Sequence, residues 1–164
     1  IDLQPGTHIA LDISNERRQP QVAFEVTGER NGAQMPAPDT TIDMRDFRFT
    51  KTTRTLPADG TWRVRNRGKQ LHFLLAFPTS SSRNASRLET LLRRRDRESE
   101  RRAERYIAGP PQQPVGLVSP GTDNRFKVDL RPGYYVLVCF YGSPASRNRG
   151  HNTLGMARKV RVVG

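Results

Sequence analysis

Apolar residues in this chain come in short runs of period two, each closed by turn residues. Ile9, Leu11 and Ile13 alternate in Thr7–Ile13, and Val22, Phe24 and Val26 alternate in Gln21–Thr27. Phe126, Val128 and Leu130 repeat the spacing, as do Val160 and Val162 near the end, and the pairs Phe47/Phe49 and Trp62/Val64. Side chains two apart share one face of a strand, so this pattern predicts half-buried β-strands. Two runs are nearly unbroken, LHFLLAF (Leu71–Phe77) and YYVLVCFY (Tyr134–Tyr141). Runs of this kind predict strands covered on both faces. The longer has eight residues, against the ~20 that a membrane-spanning helix needs. Asp59-Gly60, Pro120-Gly121 and Pro132-Gly133 mark turns between the runs. Many short strands in 164 residues predict one all-β sandwich or barrel.

One stretch departs from this pattern. Ser86–Tyr106 has no Gly or Pro and is made mostly of helix formers. Ser86 with Glu89 three residues on has the form of a capping box, and Glu89–Arg93 and Glu98–Arg102 are acid–base pairs four apart. These signals predict one inserted surface α-helix over about 86–107, docked at its two ends by Leu88, Leu91 and Leu92 and by Tyr106 and Ile107. Gly109-Pro110-Pro111 closes it.

The formal net charge is +12, from 28 Lys+Arg against 16 Asp+Glu, and 24 of the bases are Arg. Such a charge invites a nucleic-acid reading. The helix, however, interleaves its eight Arg with five acids and carries one aromatic, Tyr106. That is the pattern of a solvated face laced with ion pairs. No nucleic acid is expected, and the charge predicts attraction to an acidic protein partner. The single Cys excludes a disulfide framework.

The chain has only three His, one Cys and three Met, and four of these seven fall at telling places. His72 lies inside one buried run and Cys139 near the end of the other. His151 and Met156 follow as Cys-x11-His-x4-Met. Taken singly, a buried Cys or Met is an apolar filler and a strand His a core group. Taken together, a thiolate, two imidazoles and a thioether form the ligand set of a blue-copper electron-transfer site. Cu(I) prefers soft sulfur, Cu(II) binds imidazole well, and a trigonal His-Cys-His group with a long axial Met serves both. A second, catalytic copper site would need more His than remain, so no enzyme is expected.

From about Thr40 to Val163 the sequence resembles the cupredoxins, of the bacterial plastocyanin/azurin-like type. The segments that carry the resemblance are DFRF (Asp46–Phe49), VRNRGKQLHFLLAF (Val64–Phe77), SPG (Ser119–Gly121), VDLRPGYYVLVCF (Val128–Phe140) and GHNTLGMARKVRV (Gly150–Val162). The resemblance implies a Greek-key β-sandwich binding one type 1 copper through His72, Cys139, His151 and axial Met156. It implies a monomer outside the cytoplasm (periplasmic, secreted or surface-attached) that shuttles single electrons. The same ligands would also serve a copper storage or delivery module, and the fold alone a metal-free interaction domain. Two departures stand out. The Cys-to-His loop is long, and Phe73 follows the first His, where the family often has a hydrogen-bonding residue. The latter predicts weak hydrogen-bond support of the thiolate. The exposed edge of the copper is expected at His151, on a loop that also carries Arg147 and Arg149.

Residues 1–38 are read as an N-terminal hairpin extension and 39–164 as the cupredoxin domain. GTHIAL and VAFEVTG faintly echo GHNTL and KVRVVG near the C-terminus. No Cys precedes them, so His8 is read as an edge-strand residue rather than a ligand.

Overall fold

The computed structural model describes residues 5–11, 21–28 and 34–164. The chain divides into two compact units, 1–35 and 36–164. In the first, β1 (Gly6–Leu11) and β2 (Gln21–Val26) pair antiparallel, with His8 opposite Phe24 and their rings stacked at 5.7 Å. Ile13, the third member of the first alternation, lies outside the described residues.

The second unit is a two-sheet sandwich carrying an inserted helical segment. Its strands are β3 (Thr40–Arg45), β4 (Arg48–Lys51), β5 (Thr55–Pro57), β6 (Asp59–Asn66) and β7 (His72–Thr79), then β8 (Gln112–Val118), β9 (Asp123–Asp129), β10 (Gly133–Val138) and β11 (Ala157–Val163). One sheet has the order β5-β11-β10-β7-β8 and the other β4-β3-β6-β9. The pairs β5/β11 and β3/β6 are parallel and the rest antiparallel. Ile42, Met44, Trp62, Val64, Leu74 and Leu137, all at 0% exposure, fill the space between the sheets.

The unbroken apolar run of β10 has a direct cause. Tyr135, Leu137 and, just past the strand, Cys139 pack into the sandwich, while Val136 and Val138 pack on the other face. There they meet Ala85, Leu88, Leu91 and Ala103 of the helical segment, so both faces of the strand are covered. Burying each such side chain stabilises the fold by roughly 1.5–3 kcal/mol.

The helical segment differs from the single helix expected over 86–107. It forms two helices, α1 (Ser82–Leu92) and α2 (Arg97–Glu104), between β7 and β8. Ser81, not Ser86, caps α1, accepting from the Asn84 N–H at 3.2 Å. Ser86 sits inside the helix, and its hydroxyl donates to the Ser82 carbonyl. The break follows from Asp96, whose carboxylate accepts from the Ser99 N–H at 2.8 Å and starts a new helix. A short polar side chain that can cap competes with helix continuation, and three consecutive Arg before Asp96 offer no apolar residue to hold α1 onto the sheet. Glu89–Arg93 and Glu98–Arg102 pair as the spacing predicts, at 2.7 and 3.8 Å.

Candidate metal centre

β6 ends at Asn66, whose side-chain amide donates to the Gln70 and Val118 carbonyls, while its side-chain oxygen accepts from the Gly68 N–H. This buried residue fixes the turn that delivers His72 to the first position of β7. Cys139 lies one residue past β10, where its N–H donates to the Met156 carbonyl at 3.0 Å. The Met156 N–H donates to the His151 carbonyl at 3.0 Å, and the His151 N–H to the Tyr141 carbonyl at 2.9 Å. The three downstream residues are thus tied together through their backbones.

The long excursion between Cys139 and His151 is satisfied internally. Ser143 and Ser146 exchange side-chain and backbone hydrogen bonds around a 3-10 turn, Pro144–Ser146. The Ser143 hydroxyl also donates to the Gln70 side chain at 2.7 Å. Arg147 and Asn148, both at φ 54°, turn the chain back.

His72 Nδ1, His151 Nδ1 and Cys139 Sγ converge, with every pair of donor atoms within 4.8 Å. The two nitrogens are 3.2 Å apart, and the sulfur is 3.9 Å from His72 Nδ1 and 3.7 Å from His151 Nδ1. A first-row ion at the centre of such a triangle, with bonds of ~2.0–2.1 Å to nitrogen and ~2.3 Å to sulfur, spaces its nitrogens by about 3.5 Å and nitrogen from sulfur by about 3.7 Å. The donors fit. All three residues are at 0% exposure, and neither His72 Nε2 nor His151 Nε2 has a hydrogen-bond partner. Two imidazoles and a thiol facing one another in a buried pocket cannot satisfy the two Nδ1 lone pairs and those of Sγ among themselves. A cation between Nδ1, Nδ1 and Sγ would satisfy them, with each ring proton then on Nε2. Met156 is likewise fully buried and packs in the same cluster as Cys139.

Burial sets the protonation of the metal-free site. It lowers His72 to about 4, with repulsion from the His151 imidazole adding to the effect. Burial also lowers His151. Both imidazoles are therefore neutral at pH 7, as ligation requires. Burial pushes the Cys139 thiol up, while the backbone amides of Phe73 and Tyr141 oppose that rise.

One expectation about the site is overturned. His151 does not present an exposed edge. The Phe47 ring lies 5.0 Å from its ring at 76°, and Tyr141 lies 5.5 Å away at 75°. Phe47 was expected to alternate with Phe49 on a strand. It occupies instead the turn between β3 and β4, at φ 65°. Its carbonyl oxygen stands 2.7 Å from where a Cβ on Gly155 would lie. A positive-φ aromatic pressed onto a glycine leaves no period-two signal, which is why Phe47 escapes a reading of the sequence. Two further residues went unread. The Asn152 side-chain amide donates to the Leu92 carbonyl at the end of α1, and the Arg93 guanidinium donates to the Ala157 carbonyl at 2.6 Å. The inserted helix therefore grips the residues that follow His151 and Met156.

No family model and no curated protein matches the chain. Solved structures similar to it include a dithionite-reduced auracyanin from Roseiflexus castenholzii (18% identity, TM-score 0.41, 76% of this chain and 96% of that one). Auracyanin A, a "blue" copper protein from Chloroflexus aurantiacus, is 18% identical at a TM-score of 0.38, covering 77% of this chain and all of that one. A copper-containing nitrite reductase from Thermus scotoductus is 17% identical at a TM-score of 0.39, and the match spans 25% of its length. The copper in those names belongs to those proteins. The two-sheet sandwich and the donor triangle at its end, read from this chain's own strands and side chains, agree with the cupredoxin resemblance.

Proposed function

We propose that the chain binds one type 1 copper and shuttles single electrons. The observation that carries this reading is the convergence of His72 Nδ1, His151 Nδ1 and Cys139 Sγ at 3.2–3.9 Å in a fully buried pocket. Copper held there would cycle between Cu(II) and Cu(I) with little change of geometry. The chain's own part is to hold the ligands. Cys139 gives up its thiol proton and serves as thiolate. His72 and His151 stay neutral and present Nδ1. Met156, in the same buried cluster, would supply a thioether donor. Backbone bonds from Cys139 to Met156 and from Met156 to His151 keep the set rigid in either state, and Phe47 and Tyr141 exclude water from the His151 edge.

Complete burial of the ligands argues for transfer of electrons rather than of copper, since handing over the ion requires the pocket to open. Of the three His, only His8 is outside the set, too few for a second catalytic copper site. An acidic redox partner goes with the +12 charge, as does a rate of reduction that falls steeply with salt. An extracytoplasmic location goes with the same reading. Among the described residues no helix is long and apolar enough to cross a membrane.

The test is titration of the copper-free chain with Cu(II). An intense visible thiolate-to-copper band that saturates at one equivalent supports the reading, and Cys139→Ser should abolish it, because a hydroxyl is a hard donor. A Ser variant as strongly coloured as the parent refutes it. Binding without reversible one-electron cycling would point instead to storage or delivery.

A further inference from the structure

A second feature of the molecule owes nothing to the histidines. Between β4, the chain just before β5, α1 and β11 lies a cleft of about 490 Å³, within the size range of small-molecule sites. Five basic side chains line it, Arg48, Arg54, Arg93, Arg158 and Lys159, against a single acid, Glu89. The helical segment next to it balances eight Arg with five acids, as a solvated face does. The cleft has no such balance.

The one acid is already engaged, since Glu89 Oε1 accepts from Arg93 at 2.7 Å. Lys159 is held without a counter-charge. Its Nζ donates to the Ser86 hydroxyl at 2.9 Å and the Ser82 hydroxyl at 3.3 Å. Among the described residues no ion pair reaches Arg48, Arg54, Arg158 or Lys159. Like charges gathered in a concave site with low-dielectric walls raise the local potential and concentrate anions. Guanidinium forks match the oxygens of phosphate and carboxylate, and several forks converging on one point favour a ligand with several charged oxygens.

We propose that this cleft binds a small oxyanion of multiple negative charge, of the phosphate or phosphate-ester class. Arg54, Arg158 and Lys159 supply the principal contacts, and Arg48 closes the rim. The cleft reaches Gly155, the residue before Met156, and Arg93 at its edge also holds the Ala157 carbonyl. An occupant would therefore sit against the backbone that carries the last two metal ligands. The binding itself is independent of whether a metal is held.

The experiment is calorimetric titration of the whole metal-free chain with inorganic pyrophosphate, at an ionic strength fixed with sodium chloride. One saturable site per chain is expected. Arg54→Gln with Arg158→Gln should weaken it at least tenfold, and Lys159→Met alone several-fold. Arg101→Gln with Arg105→Gln on and just after α2, outside the cleft, should change it by less than twofold. Circular dichroism of each variant identifies any that fail to fold, and Lys159→Met, which keeps the aliphatic stem, serves as the mildest change. Absence of saturable binding overturns the proposal. So does equal weakening by the α2 pair, which would mean diffuse attraction to the net charge. Binding of hexaglutamate in preference to pyrophosphate also overturns it, in favour of an acidic protein partner.

Discussion

Replacing Gly155 by alanine should damage the fold and the metal site together, through one methyl group. Gly155 has φ 133°, a region that L-residues rarely adopt, and its Cβ would stand 2.7 Å from the Phe47 carbonyl oxygen. The backbone strain is worth ~1–3 kcal/mol, and forcing an atom into filled space adds typically 1–3 kcal/mol. The obstacle is backbone, not a side chain that can swing away. Relief therefore requires moving either the Phe47 turn, itself at φ 65°, or the 3-10 turn His151–Leu154. A loss of about 2–6 kcal/mol is expected on that sum. Urea unfolding followed by the fluorescence of Trp62, the only Trp and fully buried, would measure it in the metal-free chain. Gly121→Ala is the control. It sits at φ 73° with nothing within 4 Å of the new Cβ, so it incurs strain alone, about 1 kcal/mol. Gly155→Ala should also weaken copper binding, and Gly121→Ala should not. If the two variants lose equal stability and bind copper alike, the contact between the Phe47 turn and the ligand loop has been misjudged.

The stability of the metal-free chain should fall as pH drops from 6.5 to about 4. His72 stays neutral to about 4 when folded but takes up a proton at about 6.5 when unfolded, so the unfolded state binds more protons in that window and gains. The loss approaches ~3 kcal/mol and reads as a lower urea midpoint at pH 4.5 than at 7; an unchanged midpoint contradicts the burial of His72. Asn152→Ala strips the Leu92 carbonyl of its partner and should cost about 1 kcal/mol in thermal unfolding, with weaker copper retention against a competing chelator; unaltered retention would mean that α1 does not steady the ligand loop. Met156→Leu conserves volume and should cost less than ~1.5 kcal/mol while keeping copper bound and raising the reduction potential in voltammetry. Loss of copper in that variant would make Met156 a primary ligand rather than an axial one.

The β-sandwich is legible in the sequence because strand periodicity is local. Val128 and Leu130, or Val160 and Val162, reveal their shared face by a spacing of two, whatever lies opposite. The candidate donor set is legible for a different reason. The chain has so few His and Cys that the order His72, Cys139, His151, Met156 leaves little choice. The two helices were legible as helix but not in their bounds, since Ser81 and Ser86 offer similar caps and only docking of Ala85, Leu88 and Leu91 on β10 and β11 decides between them. What surrounds the site was not legible at all. The aromatic cover over His151 depends on a left-handed turn at Phe47 meeting Gly155, residues 108 positions apart whose closeness no spacing records. The same holds for the grip of Leu92 and Arg93 on Asn152 and Ala157, and for the basic cleft, which gathers Arg48, Arg54, Arg93 and Arg158 from four separate segments. The candidate donor set is a matter of chemistry carried residue by residue, and the sequence by itself singled it out. Exposure, support and electrostatic surroundings are sums over neighbours that only the folded chain brings together, and the tertiary structure alone decided them.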